Sequence, residues 1–122
     1  MSTILYADDE LAIQRAIKSL LGRKGHTVLT ASSVDEACAL LATNHVDGAL
    51  IDIRLGADSG FDLYEWIDMH RPELRDHVAF VTGDLALEPE AQRTVDVYGR
   101  PVLTKPFDFS ELERLVREWP AS

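Results

Sequence analysis

The sequence predicts an α/β domain built on one parallel sheet. Short apolar runs alternate with longer amphipathic stretches from one end of the 122 residues to the other, the pattern of repeated βα units. Four of the runs end in residues able to carry chemistry: Ile4 to Ala7 in Asp8-Asp9, Ala49 to Ile51 in Asp52, Val78 to Val81 in Thr82, and Val102 to Thr104 in Lys105. Ligands of open parallel sheets bind outside the carboxyl ends of the strands, so these endings mark one edge as a site. With 46% hydrophobic residues the chain can build one core, and residues 1–122 are read as one domain.

The first strand is the run into Asp8. Ile13, Ile17, Leu20 and Leu21 then recur at helical spacing, which predicts a first helix from about Glu10 to Lys24, closed by Gly25. A short strand, His26 to Thr30, precedes Ser33-Val34-Asp35-Glu36, whose Ser-x-x-Glu spacing is that of a capping box. The second helix buries Ala37, Leu40 and Leu41. After the third strand, ending in Asp52, the turn formers Gly56, Asp58, Ser59 and Gly60 lead into a third helix. That helix turns Phe61, Tyr64 and Ile67 or Met69 inward and stops at Arg71-Pro72. The fourth strand is His77 to Thr82, followed by a loop from Gly83 to Glu88. Pro89 opens the fourth helix and Gly99 ends it after Tyr98. Pro101 to Thr104 is the fifth strand, because a strand tolerates proline at its first residue. Asp108, with Glu111 three residues on, opens a fifth helix whose inner face is Leu112, Leu115, Val116 and Trp119 and whose stop is Pro120.

A formal charge of −9 opposes a direct grip on nucleic acid, which requires a basic face. Cys38 is the single cysteine, which excludes a disulfide framework or a cysteine metal site and leaves it a small core residue. No stretch has the form of a signal peptide or a membrane span, so a cytoplasmic setting without a membrane partner is expected.

Taken singly, each chemical residue has a plain structural reading. Asp9 would cap the first helix, Thr82 would be an ordinary strand end, Lys105 a solvated charge, and Asp52 a turn or cap residue. Together they read differently. Carboxylates about 4 Å apart repel by roughly 4 kcal/mol at an effective dielectric near 20, a cost that a divalent ion removes. Magnesium suits Asp8, Asp9 and Asp52, being bound through one or two carboxylates, waters and a phosphate oxygen. Lys105 adds a cation and Thr82 a hydroxyl, which completes a phosphoryl site with a carboxylate nucleophile.

The acidic pair Asp8-Asp9, Asp52, Gly60 eight residues later, Thr82, and Lys105-Pro106-Phe107 together resemble the receiver domain of two-component response regulators over essentially the whole chain. The resemblance implies a flavodoxin-like, doubly wound five-stranded parallel sheet in the order 2-1-3-4-5 with five helices. It implies that Asp52 takes a phosphoryl group from phosphohistidine on a histidine kinase or histidine phosphotransfer protein, and that the domain then signals to a downstream protein. Asp9, Asp52 and the main-chain carbonyl of Arg54 would hold magnesium, Asp8 would act largely through water, Lys105 would bind the phosphoryl group, and Thr82 would move to bond it. The Lys105-Pro106 peptide would be cis. Such a domain is no enzyme toward other molecules, catalysing only its own phosphorylation and dephosphorylation.

Two positions depart from the pattern. Gly56 stands where many members have proline, which predicts a looser loop toward Gly60, and Val102 stands at a switch position usually held by an aromatic residue. The segments Gly99 to Leu103 and Thr82-Gly83-Asp84 look more like receivers attached to hybrid histidine kinases. Two other functions compete with phosphoryl signalling. One is a magnesium-dependent phosphohydrolase with an aspartate nucleophile, for which the first strand should carry Asp-x-Asp and instead carries adjacent Asp8-Asp9. The other is a receiver-like interaction module that is not phosphorylated.

Overall fold

Along each strand the buried residues divide by parity between two faces, and this division builds the layers. A computed structural model describes residues 2–84, 86–106 and 108–119. The central strands are numbered here β1 (Thr3–Ala7), β2 (Thr27–Ala31), β3 (Gly48–Asp52), β4 (Val78–Thr82) and β5 (Val102–Thr104). All pair in parallel, in the order β2-β1-β3-β4-β5. The helices are α1 (Leu11–Arg23), α2 (Val34–Thr43), α3 (Gly60–His70), α4 (Pro89–Tyr98) and α5 (Phe109–Arg117).

Ile4, Tyr6, Leu50, Ala79, Val81 and Leu103 face Ile17 and Leu21 of α1 and Leu112 and Val116 of α5. Their neighbours in sequence, Leu5, Ala7, Ala49, Ile51, Val78 and Phe80, face Ala37 and Leu41 of α2, Leu63, Tyr64 and Ile67 of α3, and Val95 of α4. Strands buried on both faces require continuous apolar runs, which is why these could be read from the sequence. Doubly wound, the chain builds β1-α1-β2, returns past β1 to β3, and opens a crevice between the ends of β1 and β3.

The expected boundaries hold to within a residue or two. Ser33 caps α2, its hydroxyl accepting from the Glu36 N–H at 3.1 Å, and Gly25 and Gly99 take the left-handed conformation with φ of 90° and 66° after α1 and α4. Asp108 caps α5, with the Ser110 N–H as donor at 2.9 Å. The Lys105-Pro106 peptide is cis. The readings of Phe107 and Pro120 lie outside the described residues, as does Leu85 within the expected 83–88 loop.

One open choice is resolved, and three features differ from the expectation. Met69 is 79% exposed while Ile67 is fully buried, which settles which of the two faces the core, and Leu63 joins it. Leu40 is half-buried against the core rather than inside it. A 3-10 helix, Pro72–His77, adds a sixth helical element; Pro72 ends α3 and, with its fixed φ, starts the next turn. Finally, the Gly56 segment is closed by a small antiparallel hairpin of Arg54–Leu55 with Asp58–Ser59, and Gly56 takes φ of 63° at its tip. Glycine there permits the tight turn, and Leu55 is anchored in the core. Among the described residues no helix is long and apolar enough to cross a membrane.

Candidate functional site

Register and parity bring the chemical residues together. Ala7 of β1 lies opposite Ile51 of β3, Asp52 opposite Val81 of β4, and Thr82 opposite Thr104 of β5, so the four strands end level. Asp8 continues the parity of Ile4 and Tyr6, Asp52 that of Leu50, and Lys105 that of Leu103; all three side chains therefore fall on the α1/α5 side. Asp9 has the opposite parity and lies exposed on the rim.

Lys105 sits at the centre. Its Nζ lies 2.8 Å from Asp8 Oδ2, 2.8 Å from Asp52 Oδ2 and 2.9 Å from Glu10 Oε1. Asp52 Oδ1 accepts from the Arg54 N–H at 3.0 Å. Asp8 is completely buried; its Oδ1 accepts from the Glu10 N–H at 2.9 Å, and its Oδ2 accepts from the Tyr6 hydroxyl at 2.8 Å. From α1, the Gln14 amide donates to the Asp8 carbonyl and to Ser32 Oγ, which ties β1 to the end of β2. Thr82 Oγ1 accepts from the Asp84 N–H at 3.1 Å, leaving its own proton free to donate.

Charge follows from this packing. Burial pushes the Asp52 carboxyl above its usual range, by more than Lys105 and the Arg54 N–H pull it down. Burial also works against the charged Lys105, but the hydrogen bonds it donates to Asp52, Asp8 and Glu10 outweigh it and hold the ammonium above its usual range. The two directions agree because three carboxylates share one ammonium. Burial, reinforced by the bond to Asp8, raises the Tyr6 phenol well beyond its ordinary value and keeps it a neutral donor.

A cleft of about 370 Å³ opens over the site, lined by Asp9, Glu10, Asp52, Arg54, Gly56, Thr82, Gly83, Asp84 and Lys105. Oxygens of Asp8, Glu10 and Asp52 lie within 4.8 Å of one another, a spacing that a small divalent cation can bridge. The ammonium gathered among them shows that the donor set calls for positive charge, so the residues fit magnesium. At the mouth Arg54 Nη2 stands 3.4 Å from Asp84 Oδ2, both side chains being solvated.

Asp8, Asp52, Thr82 and Lys105 thus meet at one edge as their strand endings implied, with Asp9 and the Arg54 main chain at its border. Glu10 was missing from the expected set. Its signal was present: it has the parity of Asp8, and its position before α1 brings a flexible carboxylate back over the strand ends. Tyr6 and Gln14 were also absent, the first because a buried aromatic on a strand reads as core. Gln14 interrupts the apolar face of α1, a departure that marks a buried polar partner.

Residues 4–117 match the family model of the response regulator receiver domain. Over 85 residues the chain is 39% identical to the alginate biosynthesis transcriptional regulatory protein AlgB of Pseudomonas aeruginosa; the match covers 70% of this chain and 18% of AlgB. A CheY-like receiver domain protein from Methanospirillum hungatei superposes with a TM-score of 0.86 at 27% identity, over 97% of this chain and 92% of that one. The response regulator TrrA of Thermotoga maritima, solved in complex with Mg2+ and BeF, shares the fold with a TM-score of 0.82 at 22% identity, over 98% of this chain and all, 100%, of its own.

Proposed function

The chain belongs to the response regulator receiver domain family, and from that premise we propose that Asp52 is its phosphoacceptor and the remaining site residues serve that carboxylate. The observation that carries the reading is the Lys105 ammonium, in contact with Asp52 at the switch point of the sheet. Asp52 attacks the phosphorus of phosphohistidine on a histidine kinase or phosphotransfer protein; a P–O bond forms, the P–N bond breaks, and imidazole leaves. The Arg54 N–H aims one carboxylate oxygen, Lys105 balances charge on the transferred group, and the Thr82 hydroxyl donates to one of its oxygens. When bound, magnesium shields the carboxylates from one another and from the incoming phosphoryl oxygens. Asp9, Asp52 and the Arg54 carbonyl would hold it directly, as membership of the family implies, with Asp8 acting through water. TrrA supports the metal reading to the extent that the same fold holds Mg2+ with BeF.

Phosphorylation and its loss are the domain's own chemistry, and residues 1–122 are the unit that performs it. The output is a downstream protein. That nucleic acid has no part in signalling finds no support here: AlgB is a transcriptional regulatory protein, and this chain spans only 18% of it. The charge argument concerns these 122 residues alone.

The test is incubation with acetyl phosphate, or with beryllium fluoride as its mimic, with and without magnesium. One acid-labile adduct at Asp52 that requires the metal is expected; turnover of generic phosphate esters without an adduct would point to a phosphohydrolase instead. A magnesium titration read by NMR divides the acidic pair. Asp9→Ala is expected to weaken binding more than Asp8→Ala, and equal losses would contradict the assigned roles. The Arg54–Asp84 pair across the mouth is expected to hinder an attacking water. Arg54→Ala should then change the lifetime of the phosphorylated form several-fold while its rate of formation changes little, and an unchanged lifetime would remove the pair from the mechanism.

A further inference from the structure

Asp8 holds its three donors unequally. The Glu10 N–H belongs to the backbone at the start of α1. Lys105 is shared among three carboxylates and is the group assigned to the incoming phosphoryl oxygens, so its contact with Asp8 is the one that must loosen during reaction. The third donor is Tyr6. Its side chain is fully buried, and its ring packs in the layer between the sheet and α1 and α5. Packing therefore fixes where its hydroxyl sits, and only that hydroxyl reaches the site, 2.8 Å from the same Asp8 Oδ2 that Lys105 touches.

We propose that Tyr6 is a positioning residue for the metal and phosphoryl chemistry: its buried hydroxyl holds Asp8 Oδ2 in place and keeps it hydrogen-bonded when Lys105 turns away. Without Tyr6, release of Lys105 would leave a completely buried carboxylate oxygen with no donor, which costs on the order of 1–3 kcal/mol or more for a charged group. Lys105 would then stay on Asp8, occupying the positive end of the site. With Lys105 rather than the packed tyrosine fixing its Oδ2, Asp8 would lose its rigid anchor on that side, and the water through which it acts would lose a fixed acceptor. Outer partners of this kind typically alter metal affinity by 10–100-fold. Since Asp8 acts through water, the lower end applies.

The inference rests on the magnesium reading given above, and its test separates the two. Wild type, Tyr6→Phe, Asp8→Asn and the double variant are titrated with magnesium alone, followed by amide shifts of residues 8–10, and each is then phosphorylated by acetyl phosphate across magnesium concentrations. Tyr6→Phe keeps the ring and removes one oxygen. It is expected to raise the magnesium dissociation constant roughly tenfold, with the magnesium concentration for half-maximal phosphorylation rising in step, and to lower the rate at saturation several-fold because Lys105 stays on Asp8. In the Asp8→Asn background the same change should have little further effect on any of these quantities. An unchanged dissociation constant, or equal losses in both backgrounds, would overturn the role of Tyr6 and leave the metal site standing. No magnesium binding by the wild type would overturn both. If Tyr6→Phe does not fold, wild type labelled with 13C at tyrosine Cζ carries the test: the Tyr6 resonance is expected to move on adding magnesium, and a resonance that stays fixed while the amides of residues 8–10 shift overturns the proposal.

Discussion

Asp52→Asn is expected to abolish phosphorylation and to make the folded protein more stable. The first effect follows from removing the nucleophile while keeping its shape. The second needs the charges weighed. At an effective dielectric near 20, the Lys105 contact at 2.8 Å contributes about 6 kcal/mol of attraction to Asp52. Repulsion from Asp8 and Glu10, with oxygens within 4.8 Å, comes to about 7 kcal/mol for the two together. The Coulomb terms nearly cancel, so burial of the Asp52 carboxylate decides the sign. Asparagine removes that burial cost, and Lys105 keeps Asp8 and Glu10 as partners.

A gain of about 1 kcal/mol, or roughly 4 °C in Tm for 122 residues, is the expected result. Its pH dependence has a definite direction. The folded-state pKa of Asp52 is raised by burial, so its contribution to stability is full below the unfolded pKa and is lost as pH rises through the folded value. The Tm advantage of Asp52→Asn should therefore be largest near neutral pH and shrink as the solution is acidified into the carboxylate range. Magnesium should reverse the order by stabilising wild type more than the variant. Thermal melts at several pH values, with and without the metal, check all three statements. An Asp52→Asn protein less stable than wild type at pH 7 would mean that the Lys105 attraction dominates.

What could be read in the sequence divides along physical lines. Strands buried on both faces leave uninterrupted apolar runs, and Pro89 and Gly99 bound α4 where the structure has it. Asp8, Asp52 and Lys105 were legible because each ends a run, and the pleat then places them on one side. Contacts made by flexible or distant side chains left no comparable mark. Glu10 reaches Lys105 across 95 positions of sequence. Arg71, a residue expected only to end α3, donates to the carbonyls of Leu41 and Asn44 and so fastens the end of α2. The 54–59 hairpin is too short to show alternation, and in Pro72–His77 only the proline signals structure. At Gly56 the missing proline is visible in the sequence, but the hairpin turn that uses the positive φ open to glycine is visible only in the structure.

Gly60 joins the two kinds of information, since it was legible as a motif residue but its cause is visible only in packing. The first residue of α3 comes directly against the end of β3. A Cβ at position 60 would lie 2.1 Å from the Asp52 carbonyl oxygen, 2.8 Å from Ile51 Cγ2 and 3.0 Å from the Asp52 carbonyl carbon. Two of those atoms are backbone, so no side-chain rotation relieves the overlap. Gly60→Ala must push α3 away from β3 by about 1 Å to restore ordinary contact. The movement strains the bond from the Gly60 N–H to the Ile53 carbonyl, 2.7 Å long here, and loosens Leu63, Tyr64 and Ile67 in the core. Overpacking of this kind costs about 1–3 kcal/mol, and the lost contacts bring the expected loss to the upper end of that range. Because the clash is with Asp52 itself, acetyl phosphate labelling should slow even at temperatures where Gly60→Ala remains folded. Gly83 supplies the control. Nothing lies within 4 Å of the position a Cβ would take there, although the residue also lines the cleft. Gly83→Ala should change stability by no more than about 0.5 kcal/mol. Denaturant unfolding of the two variants beside wild type measures the contrast, and a Gly60→Ala protein as stable as Gly83→Ala would show that β3 and α3 do not meet as closely as described.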